Sequence, residues 1–180
     1  MKKLILLACL GFVFSLAAAD KNRVLVVYYS WSDAGNTRQV AEEIAKTTKG
    51  VCEALVPQEK YSRKDAEVLK RGREELKKAQ STPILPLKND PLKYDVIFVG
   101  SPIWFGTFAP PVRSFLQKYD LKGKKVFFFC THGKGGPGKY FSDVRKICAG
   151  SAEDKGFSCY GTHVKKIAPK LNIWIKQVMK

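Results

Sequence analysis

Apolar residues along this chain follow two rhythms. Segments 23–29, 95–100 and 125–130 are almost unbroken runs of β-branched and aromatic residues. Strand side chains alternate between two faces, so a run with no polar interruption predicts a strand covered on both sides, as in a parallel sheet. Segments 50–56 and 156–160 carry the same signal more weakly. Between these runs the spacing changes to three and four. In 37–48, Val40, Ala41, Ile44 and Ala45 fall on one helical face. Segment 110–119 opens on two prolines, which suit a helix's first turn because amides there have no intrahelical acceptor. Helical patterns also cover 139–148 and 168–179, the latter with Leu171, Trp174, Ile175 and Val178 on one stripe. Segment 61–80 is heavily charged, with a thin apolar stripe at Leu69, Leu76 and Ala79, and reads as a solvated helix over the sheet.

Strand and helix therefore alternate from 23 to 179, which predicts an α/β fold around a parallel sheet. Right-handed crossovers in such folds bring ligands to the carboxyl ends of the strands, where the chain order reverses. The segments that follow the strands are accordingly where chemistry should gather.

The first strand runs into "YSWSDAGNT" (29–37) and then directly into a helix. Free amides and the helix dipole at such a junction attract an anion. Ser30, Ser32 and Thr37 offer hydroxyls, and Gly35 permits close backbone approach. Asn36 stands where a Walker A loop needs lysine, and one glycine is too few for a dinucleotide fingerprint. The turn suits a terminal phosphate monoester, and it equally suits a plain helix cap. The third strand runs into "GSPIWFGTFAPP" (100–111), which places Ile103, Trp104 and Phe105 in a loop beside Pro102 and Gly106. Large apolar groups in a loop either pack inward or receive a flat ligand. The fourth strand runs into "CTHGKGGPGKY" (130–140), where four glycines between Gly133 and Gly138 open the backbone. A phosphate pocket, an aromatic clamp and an amide-rich rim at one sheet edge suit flavin mononucleotide (FMN).

Composition adds location and partners. "MKK", a continuous apolar run and "AAA" before Asp20 read as a secretory signal peptide, 1–19, leaving a domain of 20–180 with no transmembrane segment after processing. The net charge is +16, and loss of Lys2 and Lys3 leaves +14. Basic residues are dispersed, so nucleic acid is a poor expectation for an exported chain. An acidic redox partner protein or an anionic membrane surface fits better, and plain solvated lysines fit as well. Residues 155–180 hold six lysines and no carboxylate. Cys52, Cys130, Cys148 and Cys159 remain after processing; Cys148 and Cys159 are spaced to close a short loop, whereas Cys52 and Cys130 read as buried thiols. Two distant histidines give no metal site.

The motifs "YSWSDAGNT", "DVIFVGSPIWFGT" and "FFFCTHGKGGPG" resemble the "YSxSGNT", "DVIFVGSPIWWGT" and "THGG" signatures of a flavodoxin-like group, in the same order. That resemblance implies a three-layer α/β/α sandwich with a five-stranded parallel sheet of order 2-1-3-4-5. It implies phosphate contacts from Ser30, Ser32, Gly35, Asn36 and Thr37. It also implies ring contacts from Pro102, Ile103, Trp104, Phe105, Gly106, Thr131, His132, Gly133 and Gly135. Asp33 and Ala34 are additional to the motif. A like charge ~5 Å from a phosphate costs roughly 3 kcal/mol at an effective dielectric constant near 20, so Asp33 is expected to turn outward. The implied function is FMN-based electron transfer in the periplasm. Two alternatives stand beside it: an NAD(P)H:quinone-type reductase on the same fold, and a non-redox binding module on a degenerate one.

Overall fold

The computed structural model describes residues 23–148, 151–153 and 155–180. The segment 1–19, expected to be a signal peptide, lies outside the described residues. Strand β1 (Val24–Tyr28) leads into helix α1 (Asn36–Thr48), then β2 (Val51–Ala54) and α2 (Asp65–Lys77). The long β3 (Val96–Trp104) turns into a two-residue β4 (Thr107–Phe108), followed by α3 (Pro110–Lys118) and β5 (Lys125–His132). Helix α4 (Tyr140–Ile147), β6 (Phe157–Tyr160), a 3₁₀ turn (Gly161–Lys166) and α5 (Ala168–Val178) complete the chain.

The sheet has six strands, ordered β2-β1-β3-β5-β6 with β4 attached to β3, rather than the expected five in order 2-1-3-4-5. Pairing along the main path is parallel throughout. The additional strand has a local cause. Phe105 and Gly106 form a two-residue connection with φ of 49° and 79°. Positive φ at both positions gives the turn whose twist matches paired antiparallel strands. Trp104 is thereby set opposite Thr107, and Ile103 opposite Phe108.

Alternation along each strand divides the core into two layers. Leu25, Val27, Ile97, Val99, Phe128 and Cys130 face α2, α3 and α4. Val24, Val26, Phe98, Phe127 and Phe129 face α1 and α5. Central strands are buried on both faces, which is why they were unbroken apolar runs. Edge strand β2 is only partly covered, and its sequence signal is weaker to match.

Helix α2 presents a different face from the expected one. Leu69 is 51% exposed, whereas Val68 and Gly72 are buried. The face is set by Trp104: a Cβ on Gly72 would stand 3.0 Å from its ring, so only a residue without a side chain lets helix and indole meet this closely. The charged residues here are partly structural. Arg71 lies over the Tyr61 ring at 4.2 Å and pairs with Glu75 at 2.9 Å, while Glu75 accepts from the Tyr61 hydroxyl.

All four cysteines of the described residues are free thiols. Cys148 belongs to one core layer and Cys159 to the other, so the sheet separates them and the short-loop pairing is excluded. Cys130 is fully buried as expected, and Cys52 is half-buried. Burial pushes the Cys52, Cys148 and Cys159 thiols up to about 11. A thiol reacts as its thiolate, so at pH 8 the folded protein should react with a disulfide reagent far more slowly than free cysteine does. Unfolding should release these four thiols at once, with or without prior reduction. Stopped absorbance titration with an aromatic disulfide checks this.

Candidate functional site

The segment after β1 and the carboxyl ends of β3 and β5 converge on one cavity of about 630 Å³, within the range of small-molecule sites. Ile103 and Trp104, expected in a loop, are the last residues of β3, held there by pairing with β4. Of the expected site residues, Ser32, Asn36, Thr37, Pro102, Ile103, Trp104, Phe105, Thr131, His132 and Gly133 line it. Ser30 and Gly35 line a neighbouring cavity instead, on the other side of the β1–α1 loop. Gly106 and Gly135 line neither.

The β1–α1 loop is built to leave helix amides free. Gly35 adopts φ 62° at the head of α1; its N–H donates to the Ser32 carbonyl at 2.9 Å and its own carbonyl accepts from Gln39 N–H at 2.9 Å. No side chain caps α1, and no carboxylate lies in its first turn. The simple helix-cap reading of this serine-rich turn therefore fails, and the positive end of the helix dipole is left facing the loop. Thr37 and Thr131 are buried and share a hydrogen bond of 2.8 Å between their hydroxyls. One donates and the other accepts, so the pair stitches α1 to β5 and retains one hydroxyl proton for a further acceptor.

Asp33 turns outward as expected: its side chain is 93% exposed and its carboxylate pairs with Arg63 Nη1 at 3.1 Å. Arg63 also donates to the Trp31 carbonyl. The two additional residues thus bulge away from the cavity and are tied to the segment before α2.

The aromatic wall is two different things. Trp104 is half-buried among Tyr61, Tyr29 and Trp31, with ring centroids at 5.0, 5.8 and 6.2 Å and near-perpendicular planes. Edge-to-face packing of this kind fixes an indole firmly. Phe105 is 43% exposed and sits at φ 49°, a conformation that costs a bulky residue strain; Arg73 lies 5.3 Å from its ring. Trp104 is a fixed wall, and Phe105 is an exposed flap at the rim.

On the opposite side, His132 Nδ1 donates to the Gly133 carbonyl at 2.8 Å, since a carbonyl only accepts. Its Nε2 is thereby left for another partner. The ring meets Tyr160 edge-on at 6.0 Å, and Tyr160 meets His163 at 5.4 Å. The β5–α4 loop is held against the β3–β4 turn by Lys139 N–H donating to the Gly106 carbonyl at 2.6 Å and by Thr107 Oγ1 donating to Asp143 at 2.8 Å.

Trp31, Asp65, Val68, Leu69, Tyr160, Gly161 and Thr162 also line the cavity and were missed by sequence reasoning. Trp31 lies inside "YSWSDAGNT" and was legible from that motif. Asp65, Val68 and Leu69 reach the cavity only through the packing of α2 on Trp104. Tyr160 ends the last strand and Gly161 and Thr162 follow it, where the same rule about strand ends applied.

The flavodoxin family model matches residues 23–178. The chain belongs to the flavodoxin family. Among solved structures, a protein described as a flavoprotein from Bacteroides uniformis is 23% identical, with 86% of this chain and 98% of that one covered and a TM-score of 0.72. One from Bacteroides eggerthii is 22% identical over 83% and 98%, with a TM-score of 0.68. A flavoprotein from Lactobacillus acidophilus, solved in complex with FMN, is 24% identical over 81% and 97%, with a TM-score of 0.66. No curated protein matches significantly. These likenesses agree with the fold of this flavodoxin: a parallel sheet between two helical layers, with its candidate site at the strand ends. Among the described residues no cluster could hold a metal ion, and no helix is long and apolar enough to cross a membrane.

Proposed function

We propose that this flavodoxin binds FMN in the larger cavity and transfers electrons in the periplasm. One observation carries the reading: uncapped α1 amides with Ser32, Asn36 and Thr37, and the aromatic wall of Trp104 and Phe105, face the same space. The donor set fits a phosphate monoester, because hydroxyls, an amide and a helix N-terminus meet there with no carboxylate in the first turn. The wall fits a flat conjugated ring. Bound there, FMN supplies reversible uptake of one or two electrons. Trp104, fixed by its aromatic neighbours, excludes water from one side. Phe105 covers the rim, and Gly133 and His132 bring polar groups to the opposite edge.

Two further features support the location and the partner. The 1–19 pattern is that of an exported chain, cleaved after Ala19. Buried thiols held in their neutral form suit an oxidising compartment, since thiolate character and exposure govern oxidation. The 3₁₀ turn that supplies Gly161 and Thr162 to the cavity also carries Lys165 and Lys166, both exposed. With Lys155, Lys170, Lys176 and Lys180, also exposed, they make the C-terminal segment strongly basic, which suits an acidic redox protein or an anionic membrane surface.

Anaerobic reductive titration of the FMN-loaded protein tests the reading. Retained flavin that takes up electrons in two resolved one-electron steps is the expected result. A single two-electron step, accelerated by NAD(P)H, would move the assignment to a reductase; failure to retain flavin would leave a binding module. The intact mass of protein recovered from the periplasmic fraction should correspond to 20–180, and a mass that includes 1–19 would remove the export proposal.

A further inference from the structure

The β1–α1 loop has a second face. Behind it lies a cavity of about 410 Å³, onto which Ser30 and Gly35 open, while Trp31 and Ser32 line both cavities. Three cationic side chains line this second space, Arg38 from α1 and Lys60 and Arg63 from the segment between β2 and α2, against one carboxylate, Asp33. Asp33 is taken by Arg63. Arg38 has only a loose contact with Glu42 at 3.8 Å, which faces it from the next turn of α1. The space therefore carries a positive surplus in a concave setting, where low-dielectric walls strengthen the attraction of an anion.

A second observation points to the same ligand class. The Ser30 hydroxyl oxygen is fully buried and has no hydrogen-bond partner. A buried hydroxyl left unpaired is rare. Ser30 was expected to hold the FMN phosphate, yet it opens onto the basic cavity, away from Thr37 and the aromatic wall. Tyr28, Tyr29 and Tyr61, all buried, form the floor beneath the cations.

We propose that this second cavity is a phosphate-binding site, separate from the FMN phosphate position and served by Ser30, Arg38 and Lys60. The phosphate belongs either to a free phosphorylated ligand or to the distal half of a dinucleotide whose flavin occupies the first cavity, reaching past Trp31 and Ser32. The proposal takes the FMN reading as its starting point, but its test reads anion binding directly.

Calorimetric titration of inorganic pyrophosphate into FMN-saturated protein is the experiment, repeated on flavin-free protein, on Lys60→Ala and Arg38→Gln variants, and on Lys176→Ala as a control for general basic charge. The expected result is saturable binding of one pyrophosphate with FMN in place, weakened at least tenfold in Lys60→Ala and in Arg38→Gln and unchanged in Lys176→Ala. FMN affinity should be unchanged in all three variants. If flavin adenine dinucleotide abolishes pyrophosphate binding, the dinucleotide is the source; if pyrophosphate still binds, a free ligand is. Non-saturating uptake that Lys176→Ala weakens equally would overturn the proposal, as would pyrophosphate binding only to flavin-free protein together with weaker FMN binding in Lys60→Ala. That last outcome would assign these cations to FMN itself and leave the FMN reading intact. Saturable pyrophosphate binding in a protein that retains no flavin would support the second site and sink the first.

Discussion

Replacement of Trp104 by alanine is expected to remove about 3 kcal/mol of unfolding free energy and most of the flavin affinity together. Large aromatic-to-alanine changes in packed surroundings cost about 3–5 kcal/mol, and the half-buried position of Trp104 sets it at the lower end. The loss has a specific geometry. Tyr29, Trp31 and Tyr61 each meet Trp104 edge-on, and Gly72 is close-packed against its ring. Without the indole, α2 loses its closest contact at Gly72, leaving the Phe105 ring beside it, and Val68 and Leu69 should shift with it at the cavity wall. Out of a typical stability of about 5–15 kcal/mol the change is large but survivable, so the variant can still be assayed. Phe105 supplies the contrast. Its ring is exposed and its φ of 49° is strained, so Phe105→Gly should raise stability by up to about 1 kcal/mol. The same change should weaken FMN binding by roughly tenfold, since an aromatic contact is worth about 0.5–1.5 kcal/mol beyond its area. Denaturant unfolding and flavin fluorescence titration of the two variants read both quantities. If Phe105→Gly destabilised the protein and left FMN affinity unchanged, the rim role of Phe105 would be wrong.

That contrast marks how far the sequence could be read. The central strands were legible because burial on both faces leaves no polar interruption, and the helices because their apolar spacing is strict. The three strand-end segments were legible because glycine and hydroxyl residues break the strand pattern there while large apolar groups gather beside them. What was not legible depended on tertiary contact. The α2 face was misread because Gly72 carries no hydrophobic signal, yet its missing side chain orients the helix. Strand β4 was invisible because two residues have no periodicity, and it exists only through the Phe105–Gly106 turn. The Cys148–Cys159 pairing seemed reasonable from spacing alone, but separation along the chain says nothing about which side of a sheet each residue occupies. Ser30 was placed with Ser32 because both belong to one motif, but β1 ends at Tyr28 and the path of the loop beyond it, which no periodicity encodes, leaves Ser30 on the second cavity alone.

Replacement of Gly138 by alanine should have the second large effect, through backbone rather than side-chain packing. Gly138 adopts φ 55°, and a Cβ there would stand 2.3 Å from the Gly106 carbonyl oxygen and 2.8 Å from its carbon. These are backbone atoms of a tight turn, so no rotamer change can relieve the clash. The adjacent Lys139 N–H donates to that same Gly106 carbonyl, and it is this bond that a displaced residue 138 would break. The β5–α4 loop would separate from the β3–β4 turn, carrying Gly133 and His132 on one side away from Phe105 on the other. Left-handed φ already disfavours alanine by about 1 kcal/mol, and loss of a backbone hydrogen bond adds roughly 1 kcal/mol more. A stability loss of about 2–3 kcal/mol is expected, with FMN affinity falling at least tenfold because both walls of the cavity move. Gly135→Ala is the matched control: its Cβ would meet nothing within 4 Å, and it lies in the same loop outside the cavity, so stability and affinity should both stay within error of the parent. Equal effects from the two substitutions would mean that general loop stiffness, and not the Gly138–Gly106 contact, holds the two walls in register.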